Sequence, residues 1–180
     1  MDTSTLKFTP LQSQIFRLLC IKAGKKLNQR EISRELNVTP SGIAKALISL
    51  EKEEYVILEK NKVFNLNLVF LNRKQEVLRF KQLENLKQIY DFKLIEFLEE
   101  AYPGTTIILF GSFCRGEDTV YSDIDIAVIG AKYKNLNLEF FEKRLERQIN
   151  IINFKSFKQI EKELKENLFN GIVLVGGVEL

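Results

Sequence analysis

The chain switches between two hydrophobic periods along its length. From Pro10 to about Ala23, apolar residues recur at helical spacing, with Ile15, Leu18, Leu19 and Ile21 on one side and Pro10 suited to the first turn. A second helix is predicted from Asn28, whose side chain can cap it while Glu31, three residues on, reaches back. Ile32, Leu36 and Val38 form its inward side. A third opens at Thr39-Pro40-Ser41 and runs to about Glu53, with Ile43, Ala46, Leu47 and Leu50 inward. The period then falls to two. Residues 55–58 and 63–68 read as strands around a turn at Lys60-Asn61-Lys62, and Phe64, Leu66 and Leu68 alternate with Asn65 and Asn67.

Residues 71–100 contain no Gly or Pro and return to helical spacing through Val77, Phe80, Leu83, Leu86, Tyr90, Leu94 and Phe97. This predicts a long helix, kinked or straight, that bridges two domains; pairing of two copies along it stays open. Pro103-Gly104 ends it. Strands at 105–110, 123–129, 149–154 and 171–175 then alternate with helical segments at 112–117, 136–148 and 157–169, the second with Phe140, Phe141 and Leu145 inward. The expected fold is α+β, a small sheet covered by helices after an N-terminal helical domain. The expected domains are residues 1–70, a linking helix at 71–102, and residues 103–180.

Three helices followed by a two-stranded ribbon is the winged helix-turn-helix plan. The stretch from Gln29 to Lys62 is similar to the winged-helix domains of prokaryotic transcription regulators. That resemblance implies that the helix from Pro40 enters the DNA major groove, with Ser41 and Lys45 facing bases and Lys60 and Lys62 near phosphates. Charge supports it mildly: residues 1–62 hold 11 Lys/Arg against 7 Asp/Glu, within a whole-chain balance of +3. Glu51, Glu53 and Glu54 oppose it, and winged helices also act as docking or dimerisation modules.

The most informative residues run from Thr105 to Gly130. An apolar run ends in Gly111-Ser112. Gly111 lets the backbone turn tightly and approach a bound group, Ser112 supplies a hydroxyl, and the start of a short helix offers free N–H groups to a phosphate. Asp123 and Asp125 alternate with Ile124 and Ile126 on the next strand, so the two carboxylates share a face. Paired carboxylates beside a phosphate cradle suit Mg²⁺, which is held by one or two carboxylates plus substrate phosphates. That is the minimum equipment for phosphoryl or nucleotidyl transfer.

Gly111-Ser112, Arg115-Gly116 and Ser122-Asp123-Ile124-Asp125 resemble the signature of the DNA polymerase β-like nucleotidyltransferases, and of the minimal prokaryotic ones in particular. The resemblance implies NTP binding, ATP foremost, by Gly111, Ser112 and Arg115, with Mg²⁺ on the catalytic acids Asp123 and Asp125. It also implies a protein or nucleic-acid hydroxyl as acceptor, and a HEPN-type toxin as a partner that such antitoxins adenylylate. The family adds a third carboxylate on the strand after the intervening helix; here Asn150 stands in that place, and Asp118 and Glu142 are candidate substitutes. An amide is neutral and is no base. The alternative is therefore a winged-helix regulator whose second domain is a weak or inactive nucleotide sensor or an oligomerisation module.

Composition excludes several classes. The chain has no histidine, which removes Ser-His-Asp and Cys-His catalysis and His-ligated zinc. Cys20 and Cys114 are its two cysteines and form no metal-ligand cluster. No apolar run approaches the roughly 18 residues of a membrane span, and no signal peptide is apparent, so a cytoplasmic location and no membrane partner are expected.

Overall fold

The computed structural model describes residues 8–61 and 66–178. The chain divides into two compact units, residues 1–77 and 78–180.

In the first unit, α1 (Pro10–Ile21) is capped by Thr9, whose side chain accepts from the Gln12 N–H while Gln12 accepts from the Thr9 N–H. The expected capping box opens α2 (Gln29–Leu36): Asn28 accepts from Arg30 and Glu31 N–H, and Glu31 accepts from Asn28 N–H. Asn37, in the left-handed conformation, ends it. α3 (Pro40–Lys52) follows after Thr39, which accepts from the Gly42 N–H. A short β1 (Leu27–Asn28), β2 (Val56–Asn61) and β3 (Leu66–Leu71) form an antiparallel sheet in the order β1-β3-β2. Helix, strand, two helices and a two-stranded ribbon are the winged helix-turn-helix topology. Ile15, Leu19, Ile32, Ile43, Leu47 and Leu50 are buried.

The wing departs from its sequence pattern. β1 carries no sequence signal beyond two residues, and its pairing with β3 closes the sheet (Leu27↔Val69, Asn28↔Leu68). The alternation sets Phe64, Leu66 and Leu68 on one side. Among the described side chains of β3, the buried ones are Val69 and Leu71, on the opposite parity, and Leu68 is half-buried. Leu66 to Leu71 is apolar at five of its six positions, so alternation does not fix its face; pairing with β1 and β2 does. Phe64 and the turn residue Lys62 lie outside the described residues.

The long helix is two. α4 (Gln75–Asp91) stops at Lys93, whose left-handed backbone turns the chain into α5 (Leu94–Ala101). The expected apolar stripe on α4 holds only in part. Leu83 and Tyr90 are exposed, whereas Lys81, Asn85 and Gln88 are buried with Val77 and Ile89.

The second unit is built on a sheet of order β6-β5-β4-β7, from β4 (Thr106–Phe110), β5 (Ile124–Ile129), β6 (Ile149–Phe154) and β7 (Ile172–Val175). β4 is antiparallel to β5 and β7, and β5 is parallel to β6. The sheet is therefore mixed, and both faces are covered. Ile107, Leu109, Ile124, Ile126 and Val128 pack with α4, α5, α6 (Gly111–Arg115) and α7 (Glu139–Leu145) through Ile89, Leu94, Leu98, Phe113, Phe141 and Leu145. Ile108, Phe110 and Ala127 pack on Phe157, Ile160 and Leu168, the last from α8 (Lys162–Phe169). Two expected helices are shorter. α7 covers only 139–145 and leaves Phe140 exposed, because Phe141 and Leu145, four residues apart, already take the inward face. A 3₁₀ turn at Phe157–Gln159 precedes α8 where one helix was expected.

α6 ends at Gly116, whose φ of 73° is left-handed. A Cβ there would strike the Leu78 carbonyl and the Gln82 nitrogen of α4, so the close approach of α6 to α4 requires glycine. Gly116→Ala is expected to lower stability by about 1–3 kcal/mol, from the strained backbone and the overlap. Urea denaturation of the full chain measures this.

Candidate functional site

Three strand ends meet at one edge of the second sheet. Because β4 and β5 run antiparallel, the end of β4 faces the start of β5, and Phe110 pairs with Asp125. Because β5 and β6 run parallel, the start of β6 lies beside it, and Asp125 pairs with Asn150. The Gly111-Ser112 turn, the two acids and Asn150 therefore converge from segments up to about 40 residues apart in sequence.

Gly111 has φ of 77°, and a Cβ on it would stand 2.5 Å from Asp125 Oδ2. Only a glycine lets the turn come this close to the carboxylate. Asn150 Nδ2 donates to the other oxygen, Asp125 Oδ1, at 3.2 Å. Asp125 is half-buried and Asp123, one residue before β5, is exposed. Their parity is the same, with Ile124 and Ile126 in the core on the other face. Ser112 is half-buried in the first turn of α6, where backbone N–H groups lack intrahelical acceptors. Asp123 also borders an open cleft of 540 Å³ with Tyr121, Ser122, Glu142, Glu146 and Gln148. Ser122 shapes that rim by accepting from the Thr119 N–H at 3.0 Å, while its own N–H donates to the Thr119 carbonyl at 3.0 Å.

The remaining sequence candidates each have partners of their own. Arg115 is partly exposed at the end of α6, and its Nε donates to Glu117 at 2.8 Å. Both candidate substitutes for a third carboxylate already hold partners. Asp118 is buried and engaged by Lys81, Asn85 and Arg147. Glu142 accepts the Ile149 N–H at 3.0 Å and so anchors the start of β6. Among the described residues, no group of three or more Asp, Glu, Cys or His side chains could enclose a metal ion. Two carboxylates and a neighbouring amide nonetheless match the donor set of a Mg²⁺ ion that draws its other ligands from substrate phosphates and water. Sequence reading missed Lys81, Asn85 and Arg147. No signal in the sequence sets them apart from surface residues.

In the first unit, Ser41 and Lys45 are exposed on α3, and Lys60 is exposed on β2. Ser41 Oγ lies 3.3 Å from Thr39 Oγ1. Ile48, three residues past Lys45, is also exposed. Lys62 lies outside the described residues. Lys26 is held at 2.5 Å by Glu59 of the ribbon.

With that geometry in place, the comparisons give the family: this chain belongs to the nucleotidyltransferase-domain family. The family's domain model matches residues 92–175. A protein of Methanocaldococcus jannaschii named "Putative protein adenylyltransferase MJ1379" is 35% identical over 98 residues, covering 49% of this chain and 96% of the relative. Two solved structures also overlap it at 17% identity and a TM-score of 0.44. One is a variant of ZitR from Lactococcus lactis, covering 58% of this chain and 68% of that one. The other is the adhesin competence repressor AdcR of Streptococcus pyogenes, covering 57% and 72%. No described helix is long and apolar enough to cross a membrane.

Cys114 lies in α6 beside the site, but it is a packing residue. Burial pushes its thiol pKa up, against smaller lowering by the Ile172 backbone and the Arg115 charge. Cys20 and Cys114 should both react with a thiol reagent about a hundredfold or more slowly in the native protein than in urea. Because folding raises the Cys114 pKa, its contribution to stability is full below the unfolded thiol range, near 8.5, and is lost as pH rises through the folded value. Cys114→Ala should lack that alkaline loss in a stability–pH profile.

Proposed function

We propose that the second unit transfers a nucleoside monophosphate from an NTP to an acceptor hydroxyl. The acceptor oxygen bonds to the α-phosphorus, the bond from that phosphorus to the bridging oxygen breaks, and pyrophosphate leaves. The contact between the Gly111 turn and Asp125 carries this reading, because it sets phosphate donors and an acid within one substrate's reach. The relative's name and its near-complete coverage support ATP as the donor and a protein as the acceptor. Ser112 and the first N–H groups of α6 would hold the β- and γ-phosphates, with Arg115 able to leave Glu117 for one of them. Asp123 and Asp125 would hold Mg²⁺, which supplies charge neutralisation to the phosphates when bound.

Asn150 narrows the acceptor. With an amide where a base would stand, the acceptor must lose its proton to solvent or to another group. A phenol, with pKa near 10, does so far more readily than an aliphatic hydroxyl. A tyrosine of a partner protein therefore fits better than a serine or a ribose. A HEPN-type toxin stays within this reading as one such partner. Homodimerisation would be compatible with it and is not required by it.

The same amide supports a second reading, in which the domain binds nucleotide without turnover and the winged helix acts as a regulator. In either case the exposed Ser41, Lys45 and Lys60, with Lys62, form the proposed duplex-DNA contacts. Ile48 on the same face suits a thymine methyl.

Incubation with α-labelled NTPs and Mg²⁺ tests the transfer. Label should pass to a partner protein or a tyrosine peptide, and Asp125→Asn should reduce it by about a thousandfold or more. Binding without pyrophosphate release would favour the sensor reading. Asn150→Asp should place two carboxylates side by side; Mg²⁺ should then raise its melting temperature by several degrees more than that of the wild type. Duplex DNA should bind with a negative salt slope, and Lys45→Ala should reduce that slope by about one unit. Absence of binding at low salt removes the DNA contacts.

A further inference from the structure

Asp118 lies outside the chemistry described above, between the end of α6 and Asp123, the acid just before β5. Its carboxylate is fully buried. Lys81 of α4 pairs with Oδ1, Asn85 Nδ2 of α4 donates to the same oxygen at 2.7 Å, and Arg147 Nη2 reaches Oδ2 at 3.1 Å. Asn85 Nδ2 also donates to the Phe113 carbonyl inside α6 at 2.9 Å. Arg147 sits three residues before Asn150, the partner of Asp125. One carboxylate thus ties together the helix that carries Ser112, the loop that leads to Asp123 and the segment that enters β6.

Buried ion clusters are a poor means of stabilisation, because apolar replacements of the same volume often serve as well or better. Charge-assisted hydrogen bonds differ from apolar packing in their narrow geometry. We infer that Asp118 is a positioning residue: with Asn85, Lys81 and Arg147 it fixes the spacing between the phosphate-binding turn and the acid pair. This rests on the transferase reading, where misplacement of about 1 Å costs up to a hundredfold in rate. Asp118 touches no reacting atom; it acts through α6, the loop before Asp123 and the entry to β6. Its place in the chain suits that task, two residues past the Gly116 cap and five before Asp123.

Asp118→Asn and Asn85→Ala, made in the full chain, test this. Folding is checked first by near-ultraviolet circular dichroism and a thermal melt. Hydrogen exchange over residues 111–117 is then expected to quicken about tenfold or more in both variants, with residues 106–110 unchanged. With Mg-ATP as the probe, nucleotide affinity should stay within about threefold while turnover falls about ten- to a hundredfold. Native exchange in 111–117, or turnover that falls only with the folded fraction, overturns the inference. If Asp118→Asn does not fold, Asn85→Ala, which keeps all three charged groups, decides it. If the wild type neither binds nor turns over Mg-ATP, the transferase reading fails, and the exchange comparison still decides whether Asp118 positions α6.

Discussion

The site depends on strand direction. In the second sheet, β4 runs against β5 and β5 runs with β6. That combination puts the end of one strand and the starts of two others at a single edge. The turn at Gly111, the carboxylate of Asp125 and the amide of Asn150 meet there because hydrogen-bonded register leaves them nowhere else to go. Reversing any one of these strands would move a member of the set to the far edge, more than a strand's length away. The glycine completes the constraint, since a side chain at 111 would occupy the space taken by Asp125 Oδ2.

Burial on both faces makes that register firm. One layer packs Ile124, Ile126 and Val128 against the helices from α4 to α7, and the other packs Ala127 against Phe157, Ile160 and Leu168. A one-residue slip of β5 would exchange its two faces and move both acids inward. The aspartates stay accessible because they stand at the strand's first turn, where the apolar layers end. The same edge is braced from behind by the carboxylate of Asp118, which links α4, α6 and the approach to β6 through directional bonds.

The two units pose different recognition problems. The first presents a helix-turn-helix with a thin set of cations, one of which, Lys26, is already held by Glu59. Its electrostatic field is modest, so any duplex contact would draw on few phosphates. The second unit carries the nucleotidyltransferase domain, with the Asn150 amide bonded to Asp125. Under the proposed transfer, an amide there would leave deprotonation to the acceptor, and so would link the identity of one side chain to the chemistry of the substrate.

Much of this was legible in residue order. The capping box at Asn28 and Glu31, the Thr39-Pro40 start of α3, the glycine-serine turn and the acid alternation are local features, set by contacts within four residues or by the pleat of a strand. Asn150 was singled out only through the family resemblance, and its pairing with Asp125 came from the parallel register of β5 and β6. What only the tertiary structure decided depends on groups far apart in the chain. The face of β3 was fixed by pairing with β1, because an almost uniformly apolar segment has no preferred side. Phe140 lost its place to Phe141 because one helix face accepts only one of two adjacent rings. Lys81, Asn85 and Arg147 gathered around Asp118 from 37, 33 and 29 residues away. No local pattern marks such a cluster, since its members look like ordinary surface residues until the fold removes the water around them.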